Sequence, residues 1–184
     1  TEGNISAARD AVSKIVGRDT GTLSEPEIVR ATVETVAESA SDGVIAPLIY
    51  LTLGGAPLAL AYKAVNTLDS MIGHRDARYE HLGWASARLD DLANWIPARI
   101  TAVLIVIASG VVTGRWRSVA ESWRILHRDG SQHPSPNSGR PEAAMAGALG
   151  IQLGGINYYD GCPQERPRMG DGTRLLECRD IDTA

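Results

Sequence analysis

Three oxygen-bearing side chains stand within one helical turn, at Asp90, Asp91 and Asn94. Carboxylate and amide oxygens at this spacing could hold Mg²⁺ against a substrate phosphate, because Mg²⁺ usually takes only one or two carboxylates from a protein. The same spacing also fits the solvated face of an amphipathic helix. A metal site and a surface face therefore both stay open from these residues alone.

A second charged set, Arg30, Glu34 and Glu38, recurs at intervals of four residues and so shares one face of a helix. The two carboxylates of this set, Glu34 and Glu38, could belong to a functional site. An exposed Arg30–Glu34 ion pair would contribute only about 0.2–0.5 kcal/mol, so a simple surface pair is the alternative. Spacing does not decide between the two.

Lys63 is one of two lysines in the chain and adjoins a long uncharged run. An unpaired ammonium group is costly in such surroundings. Asn66, Thr67 and Ser70 follow at i+3, i+4 and i+7, so they form with Lys63 one polar stripe on an otherwise apolar helix. The nearest acid, Asp69, lies off that face. A functional lysine and a lysine that extends to a membrane interface are both consistent with this pattern.

His127 and His133 flank a loop that also carries Asp129, Asn137 and Glu142. These residue types could bind a metal ion, but two histidines in a surface loop are more often solvated. Their mutual geometry is needed before a role can be assigned.

Several common sites are excluded by the sequence. It contains no Gly-Lys dipeptide, no G-x-S-x-G and no H-E-x-x-H, so it encodes no Walker-type phosphate loop, nucleophile elbow or zincin helix. The net charge of −4 and the lack of a basic face argue against nucleic acid as a partner. Cys162 and Cys178 are too few for a disulfide framework and lack metal-ligand spacing, so two free thiols are expected.

Local signals predict two helices near the N-terminus. Apolar residues at helical spacing predict the first over residues 5–16, ended by Gly17. Ser24 and Glu27 form a capping box, which predicts a second helix over about residues 25–40.

Asp42-Gly43 is expected to break this second helix, and an uncharged run then extends over residues 44–62. Residues 54–57 (Gly-Gly-Ala-Pro) divide the run into halves that are each too short to cross the ~30 Å of hydrocarbon in a bilayer. A re-entrant helix–turn–helix pair at membrane depth fits this pattern. A buried helical hairpin in a soluble all-α core fits it as well, and the mean hydropathy of −0.11 is ordinary for a soluble protein.

A further helix is predicted over residues 84–96, with the chain restarting at Pro97. Residues 98–112 are apolar after Arg99 and reach the length of a membrane span only if Arg99 extends to the interface. Positive charge close after a span marks the cytoplasmic side. Four arginines follow this run, at Arg115, Arg117, Arg124 and Arg128.

The remaining segments are mostly predicted to be loops. Residues 73–83 are charged and loop-like, and residues 131–141 are rich in Pro, Ser, Asn and Gly. Residues 142–153 predict a short Ala- and Gly-rich helix that packs closely on another helix. The tail over residues 154–184 is Gly-, Pro- and Arg-rich and predicts no regular element.

Five stretches together resemble the CobD/CbiB family of cobalamin biosynthesis, the integral-membrane adenosylcobinamide-phosphate synthases. The likeness covers nearly the whole chain, and one departure is Glu38-Ser39, where the family usually has Glu-Asn. The stretches are GRDT from Gly17, ATVETVAESASDGVIAPL from Ala31, GGAPLALAYKAVNTLDSMIG from Gly54, SARLDDLANWIPARITA from Ser86 and HPSPNSGRPEAAMAGALG from His133.

The resemblance implies an all-α, integral-membrane helical bundle with a broken, re-entrant apolar hairpin and polar cytoplasmic loops. It implies a single domain over residues 1–184 that is truncated at both ends, with further transmembrane helices outside it. The protein would be a multi-pass protein of the inner cell membrane, with its polar site facing the cytoplasm.

The activity implied is that of an ATP-dependent amide ligase. It would join the propionate carboxyl of adenosylcobyric acid to the amine of 1-aminopropan-2-ol or of its O-phosphate. ATP and Mg²⁺ would be needed, without a tightly bound cofactor. The partners implied are the corrinoid, the amine, the lipid bilayer and a complex with other late cobalamin-assembly membrane proteins.

The resemblance also extends to candidate site residues, with Glu38 or Asp42 as the base for the incoming amine. The catalytic candidates are Glu34, Glu38, Asp42, Lys63 and Asp69. The candidates for binding substrate or phosphate are Arg30, Asn66, Arg99 and Asn137, and the candidates for binding Mg²⁺ are Asp90, Asp91 and Asn94.

Two alternatives belong to other classes of protein. A membrane transport or sensory component could bind a corrinoid without chemistry, because polar stripes beside a broken hairpin also suit a translocation path. The other alternative, which does not use the resemblance, is a soluble helical interaction domain. Dependence on detergent would identify the soluble domain, and ATP consumption coupled to amide formation would distinguish the ligase from the transporter.

Overall fold

The computed structural model describes residues 3–72 and 80–184. The fold is mostly helical, as predicted, but a two-stranded sheet near the C-terminus corrects the all-α prediction. In chain order the elements are α1 Ile5–Val12, α2 Glu25–Ser39, a π-helical turn Ala40–Ile45, α3 Ala46–Ile72, α4 Glu80–Thr113, α5 Trp116–Asp129, α6 Gly139–Leu149, β1 Leu153–Tyr159, β2 Cys162–Met169 and α7 Arg179–Thr183.

Helix α2 begins where the capping box predicts. The backbone N–H of Ser24 donates to Glu27 Oε2 at 2.8 Å. The sequence predicted a break at Asp42-Gly43, and this prediction is wrong. The helix continues from α2 through the π-helical turn. Gly43 lacks the positive φ of a helix-terminating glycine, and the wider i→i+5 bonding of a π-turn accommodates one extra residue without ending the helix.

Helix α1 ends at Val12, four residues before the predicted end. The chain tightens there, because the N–H of Lys14 and of Ile15 bond the carbonyl oxygens of Ala11 and Val12, three residues back. Such i→i+3 bonds are common in the last turn of a helix.

Helix α3 is two helical limbs joined at Gly54-Gly55, which confirms the broken hairpin. Gly55 has φ 65° and ψ −164°, a backbone conformation available almost only to glycine. The rings of Tyr50 and Tyr62 stack with their centroids 4.9 Å apart. Twelve residues of continuous helix would separate them by about 18 Å, so the chain reverses direction at the two glycines.

Pro97 lies inside α4 and does not restart the chain, contrary to the prediction. Proline has no N–H, so the carbonyl oxygen of Ala93, four residues earlier, loses its helical partner. The Tyr50 hydroxyl donates to that oxygen at 2.9 Å. Tyr50 of the hairpin thus supplies the hydrogen bond that the proline removes, and the helix continues through Pro97.

The start of α4 at Glu80 also differs from the predicted loop over residues 73–83. Residues 73–79 of that loop lie outside the described residues. The observed helix includes the whole of the predicted segment 84–96 and of the apolar run 98–112.

Helices α5 and α6 pack closely, as the small residues of α6 predict. A Cβ at Gly147 would lie 2.7 Å from the Cα of Ser122, and the Ser122 hydroxyl donates to the Ala144 carbonyl at 2.7 Å. The helix occupies residues 139–149 rather than 142–153, because Gly150 adopts φ 67° and ends it.

The predicted irregular tail instead contains an antiparallel hairpin, with Tyr159 paired to Cys162 and Leu153 to Met169. Asp160 and Gly161 form its turn with φ 51° and 75°. Positive φ at both turn residues is the requirement of a two-residue type I′ hairpin loop, and Asp-Gly is a preferred sequence for it.

Both cysteines, Cys162 and Cys178, are free and exposed, which confirms the prediction of two free thiols.

The arginines after α4 do not all act as free cations. Arg124 and Arg128 both form ion pairs with Asp171, so the tertiary structure neutralises part of this cluster. The cytoplasmic side stays a prediction from all four arginines, because the rule counts Lys and Arg and not net charge.

Two helical stretches, Glu25–Met71 and Gly83–Thr113, are long and apolar enough to cross a membrane by length and composition. Many of their apolar side chains have no cover in the described structure. Leu53, Leu60 and Val111, for example, are at least 70% exposed. The main buried core lies elsewhere, between α2, α5, α6 and the β-hairpin, around Val33, Ile125 and Leu153.

Candidate functional site

A pocket of about 970 Å³ lies between α2, the π-helical turn, the second limb of α3, α4, the loop before α6 and the β-hairpin. Its walls include every predicted site residue except Arg30 and Arg99. The predicted residues that line it are Glu34, Glu38, Asp42, Lys63, Asn66, Asp69, Asp90, Asp91, Asn94 and Asn137.

Carboxylates from three elements converge in this pocket. Glu38 ends α2, Asp42 lies in the π-helical turn and Asp90 lies on α4, and the charges of Glu38 and Asp90 both act on Asp42. The Ser138 hydroxyl donates to Glu38 Oε1 at 2.9 Å and holds this side chain. Like charges gathered in this way attract a cation.

Lys63 joins this cluster through a chain of hydrogen bonds. Its Nζ donates to Asn66 Oδ1 at 3.2 Å, and Asn66 Nδ2 donates to Asp90 Oδ1 at 3.2 Å. The polar stripe of α3 therefore faces the acidic residues of α4. This link positions Lys63 beside the place where an anionic substrate would meet the carboxylates.

Two buried amides leave polar atoms without a hydrogen-bond partner in the pocket wall. Asn94 accepts the Tyr62 hydroxyl at 2.8 Å through its oxygen, and its Nδ2 is unpartnered. Asn137 donates to the Asp91 carbonyl at 2.8 Å, and its Oδ1 is unpartnered. Because an unpaired buried polar atom is costly, both atoms are expected to bond a ligand or water.

Glu34 holds the β-hairpin against α2. Its Oε2 lies 2.5 Å from Arg18 Nη2, and its Oε1 accepts the N–H of Gly154 at 2.8 Å. Both oxygens of this buried side chain are therefore occupied, which favours a positioning role within the pocket wall over a direct role in proton transfer.

Arg30 serves the same interface from the adjacent turn of α2. It donates to the carbonyl oxygens of Gly154 and Ile156 and to Asn157 Oδ1. These bonds fix strand β1, and Arg30 is not among the residues that line the pocket.

Three charged or amide residues of the pocket were not site candidates in the sequence analysis: Arg18, Asn157 and Arg166. His133 and Glu142, which were considered there only for a metal site, also line the pocket. Arg18 lies in the GRDT motif, which carried a signal. Asn157 and Arg166 lie in the β-hairpin, whose existence was not predicted.

Burial controls the charge of two of these residues. It raises the pKa of Glu142 well above its usual value, and the charges of Glu34 and Glu38 add to this effect. Burial, together with the charge of Arg166, lowers the pKa of His133. Burial therefore favours the neutral form of both the Glu142 carboxyl group and the His133 imidazole.

The hypothesis of a histidine metal site gains no support from the geometry. Within residues 3–72 and 80–184, no three His, Cys, Asp or Glu side chains are placed to hold one metal ion. His127 lies in a separate pocket, and Asp129 is bound by Arg128. A divalent cation here would need ligands from a substrate besides one or two carboxylates, which is the usual mode for Mg²⁺.

Comparison with known proteins places the chain in a family. The model of the CobD/Cbib protein family matches residues 1–184. Cobalamin biosynthesis protein CobD of Geobacter metallireducens is 59% identical over 175 residues, which cover 95% of this chain and 54% of that protein. The proteins of the same name from Clostridium perfringens and Halalkalibacterium halodurans are 54% and 51% identical, over 98% and 97% of this chain and 56% of each relative.

The chain thus spans about half the length of these curated relatives. No solved structure matches it. With the family model matched from end to end, the chain belongs to the CobD/Cbib protein family.

Proposed function

We propose that the full-length protein acts in cobalamin biosynthesis as an ATP-dependent amide ligase of the membrane. It would join the propionate carboxylate of adenosylcobyric acid to the amine of 1-aminopropan-2-ol or of its O-phosphate. The names of the relatives support the pathway. The observation that carries the chemistry is the large pocket, which gathers carboxylates, cations and amides with unpartnered atoms from distant parts of the chain.

The reaction sets clear demands on such a site. A carboxylate is unreactive towards an amine until one of its oxygens becomes a leaving group, and ATP supplies the phosphoryl or adenylyl group that achieves this. The site must then neutralise phosphate charge, bind the metal that accompanies ATP and remove a proton from the incoming ammonium group.

The carboxylate donors fit Mg²⁺ in type and number. Asp90 and Asp91 remain the proposed ligands, and Asp42 and Glu38 lie on the facing wall. Hard oxygen donors of this kind suit Mg²⁺ when substrate phosphates complete its coordination. Asn94 is less suited, because its oxygen already accepts the Tyr62 hydroxyl.

Cations for the phosphates are available on two sides of the pocket. Lys63 lies on α3, and Arg18 and Arg166 lie beside the β-hairpin. Asn66, Asp69 and Asn137 would orient the substrates. Glu38 or Asp42 would accept the proton of the amine, since each has an acceptor oxygen in the pocket beside Lys63.

The membrane location rests on the exposed apolar side chains. The uncharged part of the helical rod before Gly54-Gly55 spans residues 44–53, about 15 Å of helix, which is about half the thickness of a bilayer core. This hairpin would therefore enter the membrane and return, while α4 is long enough to cross it. A polar pocket at the base of the hairpin would then lie near a surface of the membrane.

The test is the conversion of adenosylcobyric acid by membranes that contain the full-length protein. ATP, Mg²⁺ and 1-aminopropan-2-ol or its phosphate are supplied, and mass spectrometry follows the amide product together with ADP or AMP. Amide formation coupled one to one with ATP cleavage supports the ligase. Corrinoid uptake into vesicles without amide formation would instead support a transporter.

A further inference from the structure

A second, smaller pocket of about 240 Å³ lies where α4, α5 and the start of α6 meet. Its polar lining consists of Arg99, His127, Ser131 and Arg140, and its apolar lining includes Val103 and Trp123. No Asp or Glu side chain is among the described residues that line it. It is separate from the large pocket, with which it shares no lining residue.

Among the residues that the structure describes, no acidic side chain forms an ion pair with either guanidinium group of this pocket, unlike those of nearby arginines. Arg140 Nε is buried without a hydrogen-bond partner. Arg99 lies over the Trp95 ring, 3.9 Å from its centroid, and donates to the Trp95 carbonyl at 2.5 Å. In contrast, Arg124 and Arg128 on the same helix bundle form ion pairs with Asp171.

Two like charges held close together without a counter-ion favour the binding of an anion. Arginine suits a phosphate oxygen in particular, because its planar fork donates two parallel hydrogen bonds. The Ser131 hydroxyl adds a further donor to the lining. The pocket therefore has the donor set of a phosphate site.

The surface beside this pocket is apolar and uncovered. Ile100, Val103 and Ile107 on α4 are 40%, 40% and 55% exposed. Trp95 and Trp123, which are 50% and 47% exposed, stand at the boundary between this surface and the arginines. Tryptophan at such a boundary is typical of the interface between hydrocarbon and water.

We propose that this pocket binds the phosphate of an anionic phospholipid, with the acyl chains along the exposed face of α4. The inference rests on the membrane location in the proposed function, but not on the ligase chemistry. A soluble phosphate would use the arginines and leave the apolar face bare. A phospholipid uses both, and the small volume suits a phosphoglycerol headgroup better than a second large substrate.

The test uses the purified full-length protein in nanodiscs of phosphatidylcholine that contain a minor fraction of spin-labelled lipid. The probe is spin-labelled phosphatidylglycerol, compared with spin-labelled phosphatidylcholine. The immobilised fraction of each lipid is measured by electron paramagnetic resonance. We expect the wild-type protein to immobilise phosphatidylglycerol several-fold more than phosphatidylcholine.

The R99Q/R140Q variant should bring the immobilised fractions of the two lipids close to equality, because each arginine near a membrane surface contributes severalfold to the binding of an anionic lipid. The R115Q/R117Q variant is the matched control, since it removes the same charge just beyond the end of α4 but outside the pocket. It should leave most of the preference intact.

Three outcomes would overturn the proposal. The first is equal immobilisation of both lipids by the wild-type protein. The second is an equal loss of preference in the two double variants. The third is displacement of the lipid by millimolar inorganic phosphate, which would indicate a site for a soluble phosphate. Should R99Q/R140Q fail to fold, the single variants R99Q and R140Q decide: each should lower the preference, and an unchanged preference in both would overturn the proposal. Amide formation, assayed in the same nanodiscs, reports separately on the proposed ligase.

Discussion

At the scale of single residues, the central result is a pocket in which acids and cations from distant parts of the chain face one another. Glu38, Asp42 and Asp90 interact electrostatically, and the hydrogen bonds from Lys63 through Asn66 to Asp90 tie a cation to them. This arrangement supports the proposal that the pocket binds a divalent cation together with an anionic substrate. The charge of the carboxylates, more than their shape, should then determine activity.

We expect Asp90→Asn to reduce ATP-dependent amide formation by at least ~100-fold, because metal stabilisation of transition-state charge is worth several kcal/mol and each ~1.4 kcal/mol is tenfold in rate. Asp91→Asn should have a similar effect. The measurement is turnover of adenosylcobyric acid over a range of Mg²⁺ concentrations, and excess Mg²⁺ should restore part of the activity.

Asp182→Asn makes the same chemical change on an exposed position of α7, outside the pocket, and should leave turnover near normal. Near-normal turnover with unchanged Mg²⁺ dependence in both Asp90→Asn and Asp91→Asn would show that these two residues form only a solvated helix face.

Glu142 gives a prediction about pH. Its pKa in the folded protein is well above the usual value of 4.5, so the folded state holds this proton while the unfolded state releases it. Stability should therefore fall as the pH rises from about 4.5 towards the pKa of the folded state. Glu142→Gln removes this pH-dependent loss of stability. It should raise the melting temperature in detergent by a few degrees at neutral pH, because each kcal/mol of stability corresponds to roughly 2–4 °C.

At pH 4 the same substitution should have little effect, because Glu142 is then protonated in both states. Glu165→Gln, on an exposed position of β2, is the control. Equal melting shifts for Glu142→Gln at pH 4 and pH 7 would contradict a buried, neutral Glu142.

At the scale of elements, the hairpin and α4 depend on each other. The hydroxyl of Tyr50 on the first limb of α3 satisfies the Ala93 carbonyl that Pro97 leaves without a helical partner. Tyr62 on the second limb bonds Asn94 and stacks on Tyr50. The break at Gly54-Gly55 therefore places both limbs where they can complete a proline-containing helix.

A double-mutant cycle tests this dependence. Tyr50→Phe should lower the free energy of unfolding by about 1–2 kcal/mol, because it leaves the Ala93 carbonyl unpaired. In the Pro97→Ala background, residue 97 has an N–H that can bond the Ala93 carbonyl. Tyr50→Phe should then lower the free energy of unfolding much less. Unfolding in detergent, followed by circular dichroism, measures both values, and additive effects would show that the two residues are not coupled.

At the scale of the whole molecule, the uncovered apolar side chains of α3 and α4 are the dominant feature. A contiguous exposed apolar surface of this kind marks contact with a membrane or another protein. Polar groups are concentrated at the base of the hairpin, and the β-hairpin closes the pocket there through Arg18, Arg30 and Glu34.

The full-length protein should therefore sediment with membranes and resist extraction by alkaline carbonate. Detergent should release it. Recovery in the soluble fraction without detergent would contradict the membrane location, and it would remove the basis of the lipid site together with that of the proposed topology.

The sequence by itself determined the features that depend on neighbouring residues. The capping box at Ser24, the reversal at Gly54-Gly55, the polar stripe from Lys63 and the close packing of the Ala- and Gly-rich helix all follow from local patterns. Such patterns act through propensity, capping and periodicity within a few turns. The long family motifs also brought most of the acidic pocket residues to attention.

Only the tertiary structure decided which of these residues meet. Arg30 and Arg99 were expected at a phosphate site, but β1 engages the first, and the second lies in another pocket beside Arg140. Arg18, Asn157 and Arg166 enter the large pocket because the β-hairpin folds back onto α2 across more than 120 residues of chain. Charge and hydrogen bonding act through space, so spacing along the chain could not reveal these partners.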